Sequence, residues 1–379
     1  MEYRQLGRSG LRVSVLGLGT AGFGGKGFFY QMGSTDVASA KRQIDICLDA
    51  GVNYVDSSDV YSAGLSEEIL GEAIRGRRDE VIVATKVRYP LDAHEDNHST
   101  DPNNAGLSRH HLIRACEGSL KRLGIDHIDL CQVHGWDGVT PLEETMEAFD
   151  SLVRSGKVRY IGCSNFCGWQ LMKSLWVSDK HGFQRYISQQ IFYSLQAREA
   201  EYELVPIGLD QGVGVICWSP LAGGLLSGKF RRNQPPPTAY SRQLTEMGEP
   251  PVRDLDQLYD IVETLVEIAE ARNSTPAQVA LSYLLAKPGV SSVLIGARSE
   301  EQLVSNLGAT ALELSAEETE RLNQVSAVPL IYPYWHQLAS SDRLGVPELS
   351  ILGPALEKGK GKSYRQVLDS QREAEAVRS

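Results

Sequence analysis

No stretch of the 379-residue sequence stays apolar for the ~20 residues that a helix needs to cross a bilayer; Val213 to Trp218, among the most apolar, is only a short run. A basic excess is also missing. With 38 Lys and Arg against 48 Asp and Glu, the chain as a whole is repelled by nucleic-acid backbones and anionic membrane surfaces. Neither nucleic acid nor membrane is an expected partner. Cysteine is sparse and unpaired: Cys47, Cys116, Cys131, Cys163, Cys167 and Cys217 form no C-x-x-C motif and fall mostly in apolar segments, which fits reduced core thiols. The opening Met1-Glu2-Tyr3-Arg4 is polar where a secretory signal places a basic and then a long apolar segment, so the expected compartment is the cytoplasm.

Core-forming residues are not lacking. Hydrophobic residues are 42% and charged residues 23% of the chain, which excludes a disordered, collagen-like or coiled-coil protein. Eight short apolar runs recur along it: Val15–Gly19, Tyr54–Asp56, Val81–Thr85, Ile128–Val133, Tyr160–Cys163, Ile187–Ile191, Val213–Trp218 and Ser292–Ile295. Helical signals fill the intervals. Thr140-Pro141-Leu142-Glu143, Ser299 to Gln302 and Ser315 to Glu318 read as capping boxes, and Thr275-Pro276 places proline in a first turn. Ile113, Cys116, Leu120 and Leu123 make an apolar face that stops at Gly124; Leu142, Met146, Phe149 and Val153 make another that stops before Gly156. Strands apolar on both faces, each followed by a helix, predict a parallel sheet covered by helices, and eight such units close into a TIM-type (β/α)8 barrel. Ahead of it, Glu2–Leu6, Gly7–Gly10 and Leu11–Val13 predict a hairpin that plugs the barrel bottom. The long stretches Arg88–Leu107 and Lys229–Arg253 are expected to build and cover a site at the strand ends, with a barrel over residues 1–328 and an extension over 329–379.

Two glycine motifs test other phosphate-binding folds. Gly17-Leu18-Gly19-Thr20-Ala21-Gly22 has the G-x-G-x-x-G spacing after a strand, but Phe23-Gly24-Gly25-Lys26-Gly27 cannot open the helix that a dinucleotide fold requires there. Gly223 to Lys229 resembles a phosphate loop until Phe230 stands where a magnesium-binding hydroxyl belongs. Metal spacing occurs at His94 and His98, beside Glu95 and Asp96, and again at His110-His111, although a solvated loop and a helix start explain both; no metal is expected.

More informative is a positional coincidence. Asp56 ends the second strand, Lys86 the third and His134 the fourth, while Tyr61 follows Asp56 by five residues, so all four stand on one rim. A buried carboxylate and ammonium must pair, and a pair that merely closes the barrel top is one reading. The tyrosine supports another: an adjacent ammonium favours phenolate and makes the phenol a better proton donor near neutral pH, and a histidine nearby could hydrogen-bond a carbonyl oxygen as charge grows on it.

These residues carry a resemblance. Gly51 to Tyr61, Ser66 to Gly71, Gly156 to Phe166 and Trp218 to Lys229 resemble, in order, the signatures of the aldo-keto reductases, over about residues 1 to 328. The resemblance implies a nicotinamide cofactor, usually NADPH with NADH as the alternative, bound without a Rossmann fold, and a small carbonyl or alcohol substrate. Tyr61 would be the proton donor, Lys86 its activator, Asp56 the partner of Lys86, and His134 the group orienting the carbonyl. Ser164, Asn165 and Gln190 would hold the carboxamide, and Trp218 would stack on the nicotinamide. Gly19, Thr20 and Ser219 would stand along the cofactor, with Leu221, Gly223 and Lys229 at the pyrophosphate. Gly296, Arg298, Gln302 and Asn306 would surround the adenosine end, where Arg298 and the start of a helix near Ser299 could meet a 2′-phosphate. Many family members carry lysine at the position of Gly296 and arginine at that of Gln302, so Arg298 is left as the main cation. The aromatic cluster Tyr332-Pro333-Tyr334-Trp335 could line the substrate pocket or pack on the barrel's outside. Substrates of a bulky, polycyclic or sugar-like kind fit the long loops. Two rivals remain in view: a cofactor-binding regulatory or channel-associated subunit with little turnover, and a metal-dependent barrel hydrolase built on His94 and His98. No residue pattern specifies an oligomeric state.

Overall fold

A computed structural model describes residues 1–91, 101–234 and 250–337. All eight predicted barrel strands form: β3 (Leu16–Gly19), β4 (Tyr54–Asp56), β5 (Ile82–Val87), β6 (Ile128–Val133), β7 (Val158–Ser164), β8 (Ser188–Phe192), β9 (Gly214–Trp218) and β10 (Val290–Ile295). Every neighbour pair is parallel, and β10 pairs with β3 to close the barrel. The hairpin β1 (Tyr3–Gln5) and β2 (Arg12–Ser14) is antiparallel, as expected. It covers the end where the strands begin: Arg8 N–H donates to the Gly212 carbonyl at 2.7 Å, just before β9.

Strand periodicity sorts the barrel interior into two levels. Tyr54, Ala84, Leu130, Ile216 and Leu294 cluster inside with Leu6 and Val13 of the hairpin, giving an apolar lower layer. Two residues further along β4, β5 and β6, on the same strand faces, stand Asp56, Lys86 and Gln132. Thus the alternation that plugs the bottom delivers polar groups to the top. Gly17 has a packing role here, because a Cβ on it would lie 2.5 Å from Cδ1 of Tyr54. The glycine spacing that imitates a dinucleotide motif instead admits a tyrosine ring, and a turn, not a helix, follows it.

Outside the strands lie α1 (Val37–Asp49), α2 (Leu65–Ala73), α3 (Arg109–Leu123), α4 (Leu142–Arg154), α5 (Gly168–His181) and α6 (Leu204–Gln211). Next come α7 (Leu255–Ala271), α8 (Pro276–Leu285), α9 (Glu300–Leu307) and α10 (Ala316–Val325). One departure from strict alternation is that β9 is followed by both α7 and α8; α8 packs on β10, whereas α7 packs on α8 and α10. The boxes at Thr275 and Ser315 form completely. That at Thr140 does not, because its hydroxyl donates to Asp137 at 2.7 Å and Pro141 takes the cap position. At Ser299 only half the box is made: Ser299 accepts from Gln302 N–H, but Gln302 Oε1 turns back to Arg298 N–H at 3.1 Å. No helix of the described residues is long and apolar enough to cross a membrane.

His111, on the buried face of α3, has neither ring nitrogen hydrogen-bonded among the described residues. Burial, then Arg114 and His110, lowers its pKa to about 4. An unfolded chain binds a proton near pH 6.5 that the folded chain refuses, so stability falls as pH drops from about 6.5 to about 4. Replacing His111 by Leu should remove this slope and gain on the order of 2 kcal/mol at pH 5. Urea unfolding of both proteins at pH 7.5 and pH 5 checks it; parallel acid losses would show that His111 is not the source.

Candidate active site

Four predicted residues converge at the strand ends. Lys86, fully buried, donates to Asp56 Oδ2, to the Ser57 carbonyl at 2.8 Å and to the Tyr61 hydroxyl at 3.3 Å. An ammonium has three N–H groups, and three are placed. Burial alone would lower the Lys86 pKa, yet Asp56 and then Tyr61 outweigh it and hold the value above the ordinary lysine range. Asp56 Oδ1 accepts from Gln190 at 2.8 Å and Gln132 at 2.9 Å, so the carboxylate is compensated on both oxygens.

Tyr61 is fixed by the turn behind it. Ser62, Ala63 and Gly64 all adopt left-handed φ values of 52, 55 and 90°, and the Ser62 hydroxyl donates to the Phe23 carbonyl at 2.7 Å. Two of the three are non-glycine residues in a costly conformation, which the surrounding contacts must impose. Across the phenol, the His134 ring lies 5.8 Å away, centroid to centroid. Burial, then Lys86 and Arg88, pushes the His134 pKa well below the usual value, so the imidazole is neutral.

From this cluster a cleft of about 1490 Å³ runs across the barrel top. Asp56, Tyr61 and His134 line one region of it, with Lys86 beneath. All fourteen residues expected at a cofactor line the same cleft, from Gly19 and Thr20 through Ser164, Asn165, Gln190, Trp218, Ser219, Leu221, Gly223 and Lys229 to Gly296, Arg298, Gln302 and Asn306. Several already have partners. Thr20 turns its hydroxyl to Ser57 at 2.9 Å and its backbone N–H to the Asp56 carbonyl at 2.9 Å, and Gln190 spends its amide nitrogen on Asp56. Ser164 donates to the Gln190 carbonyl at 2.8 Å. Asn165, left-handed at φ 57°, donates to the His134 carbonyl and accepts from Trp218 Nε1 at 3.0 Å, thereby tying β6, β7 and β9 together above the barrel.

At the Gly27–Gln31 end of the cleft Arg298, which follows β10, donates to the Gln31 carbonyl at 3.3 Å. Glu301 also lines this end, with its carboxylate folded onto Ser299 and its own N–H. Residues that sequence reasoning missed include Phe28 and Phe29 on that turn and Tyr89 after β5, which stacks edge-on to His134 at 5.1 Å. The aromatic run in a glycine-rich loop was the available signal. His94 and His98 lie outside the described residues, among which no group of three or more His, Cys, Asp or Glu side chains could hold a metal. Tyr334 stacks on Tyr202 at 5.3 Å and donates to its carbonyl, and none of residues 329–337 lines the cleft.

A parallel eightfold barrel with a buried ion pair, a phenol and an imidazole gathered at a rim cleft is the architecture of a barrel enzyme. The chain belongs to the aldo/keto reductase family, whose family model matches residues 15–327, and it is an oxidoreductase. It is 41% identical to the uncharacterized oxidoreductase YrpG of Bacillus subtilis (strain 168), over 87% of this chain and 97% of that protein. It is 37% identical to a probable voltage-gated potassium channel subunit beta of Oryza sativa subsp. japonica, over 82% and 91%. Versiconal hemiacetal acetate reductase of Aspergillus parasiticus is 31% identical, over 88% and 99%.

Proposed function

We propose that the chain reduces an aldehyde or ketone to the alcohol, reversibly, with NADPH. The observation that carries this is the Lys86 ammonium shared between Asp56 and the Tyr61 hydroxyl at the cleft floor. The cleft suits an extended dinucleotide: it is large, Trp218 lines it and is tied through Asn165 to the His134 carbonyl, and Lys229 and Arg298 supply charge in its lining. When bound, the cofactor supplies a hydride to the carbonyl carbon. Tyr61 gives its proton to the carbonyl oxygen, and Lys86 stabilises the phenolate left behind. Asp56 keeps Lys86 charged and aimed, while neutral His134 hydrogen-bonds the carbonyl oxygen. Phe28, Phe29, Tyr89 and Leu91 line the open side, which favours a flat, aromatic or polycyclic ketone over a sugar. The Aspergillus relative is named as a reductase, in keeping with this reading.

Titration of the purified protein with NADPH and with NADH, followed by quenching of tryptophan fluorescence, tests the cofactor; turnover of carbonyl compounds then tests the reaction. No quenching by either nucleotide would remove the reading. Arg298→Ala should weaken NADPH about 10- to 100-fold, the worth of one or two charge-assisted hydrogen bonds, and leave NADH within about twofold. Equal losses for both would place the 2′-phosphate elsewhere. The similarity to the rice channel subunit supports a second reading, a cofactor-retaining regulatory subunit. Single-turnover oxidation of bound NADPH separates the two: rapid multiple turnover favours the reductase, and a slow single event favours the subunit.

A further inference from the structure

Beside the catalytic cluster lies a buried carboxyl that the reaction above does not use. Asp59 is 1% exposed, and its N–H donates to the Lys86 carbonyl at 3.1 Å. Its Oδ1 lies 3.3 Å from Ser58 Oγ, and Ser58 Oγ lies 3.0 Å from Nδ1 of His134 and, at the longer distance of 3.5 Å, from the Lys86 carbonyl. Among the described residues Oδ2 has no hydrogen-bond partner. The groups around the Asp59 carboxyl are Glu67 from α2, the Arg122 guanidinium from α3 that pairs with Glu67 at 2.7 Å, the Val60 N–H, and Cys131 from β6.

The three groups form a chain whose direction is set by one proton. Ser58 has a single O–H. Were Asp59 ionised, that hydrogen would be drawn to the carboxylate; His134 would then have to donate from Nδ1 to Ser58 Oγ, and Nε2 would present a lone pair to the cleft. A carbonyl oxygen facing that lone pair is repelled. With Asp59 protonated the order reverses: Asp59 Oδ1 donates to Ser58, Ser58 donates to Nδ1, and Nε2–H points into the cleft. The unpartnered Oδ2 belongs with the second arrangement, since a lone carboxyl C=O in a dry site costs far less than half of a carboxylate. Burial, followed by the neighbouring Glu67 charge, likewise raises the Asp59 pKa well above the ordinary range.

We infer that Asp59 and Ser58 are positioning residues that hold His134 in the tautomer protonated at Nε2, the form able to donate to a substrate carbonyl. This rests on the reductase reading for its consequence in turnover, but not for the tautomer itself. The test is nitrogen NMR of the full-length protein labelled at histidine, without substrate, together with steady-state kinetics. Wild type should show His134 protonated at Nε2 with Nδ1 hydrogen-bonded. In Ser58→Ala the Nδ1 resonance should move toward that of a free acceptor nitrogen, with kcat falling about tenfold, short of the ~10²–10³ for outright loss of an oxyanion donor. KM and NADPH affinity should stay near wild type. Ser58→Thr, which retains the hydroxyl, should restore both spectrum and rate, and Asp59→Asn, whose amide can donate as the acid does, should preserve the tautomer. A wild-type His134 protonated at Nδ1 would overturn the inference, as would an unchanged kcat in Ser58→Ala. Absence of any wild-type turnover, with the tautomer as stated, would count against the reductase reading alone.

Discussion

Tyr61→Phe should lower kcat for carbonyl reduction by about 10³-fold, the middle of the range that a positioned general acid contributes, while NADPH binding stays within about twofold. The asymmetry follows from geometry. Only the hydroxyl is deleted, and that hydroxyl faces Lys86 at the cleft floor, whereas the cations at Lys229 and Arg298 stand along the rest of the cleft. Removing it also leaves the phenyl ring in its contact with Phe29 at 5.1 Å, so the fold is undisturbed. Stopped-flow hydride transfer, measured under cofactor saturation, checks the rate, and fluorescence titration checks the affinity. Retained turnover would take Tyr61 out of the mechanism; loss of both rate and affinity would mean that the substitution disturbs the cleft itself.

Lys86→Met is expected to abolish turnover and also to destabilise the fold, by about 3–5 kcal/mol, because it strands a buried carboxylate. Asp56 would keep Gln132 and Gln190 on Oδ1 but lose the only charged partner of Oδ2 among the described residues. An uncompensated buried carboxylate has its folded pKa raised above its unfolded value. For such a group stability is greatest below the unfolded pKa and is lost as pH rises through the folded one, so the variant's deficit against wild type should shrink on acidification, over and above the His111 loss that both proteins share. Urea unfolding between pH 4.5 and 8 reads this directly. Adding Asp56→Asn to Lys86→Met should recover most of the stability and none of the activity. A single variant as stable as wild type at pH 8 would show that Asp56 finds another partner.

Much of this arrangement was legible in the order of residues. Eight β-rich runs, each short enough to be a strand and apolar on both faces, specify a parallel sheet whatever their surroundings, and all eight are found. The convergence of the four candidate residues followed from strand ends: Asp56 ends β4, Lys86 stands one residue before the end of β5 and His134 follows β6, and in a parallel barrel every strand ends on the same rim. The turn chemistry at Thr275-Pro276 and Ser315 was equally local, and both caps form as read.

What sequence could not supply was the partner of each polar atom. Thr140 reads as a cap until Asp137 takes its hydroxyl, and Gln190, which lines the cleft as expected, already has its amide nitrogen on Asp56. Gly17 has the spacing of a dinucleotide motif that its following residues rule out, but the sequence does not show why a glycine stands there: its neighbour in space is the ring of Tyr54, 37 residues away in the chain. Ser58 and Asp59 carry no signal at all in one dimension; they matter because β5 and β6 bring Lys86 and His134 beside them. By itself the sequence determined the strands, their common direction and the rim on which chemistry stands, because periodicity and backbone propensity act over a few residues. Only the tertiary structure decided which hydrogen bonds are already made, because burial removes water and drives most polar atoms to take partners from whatever the fold places next to them.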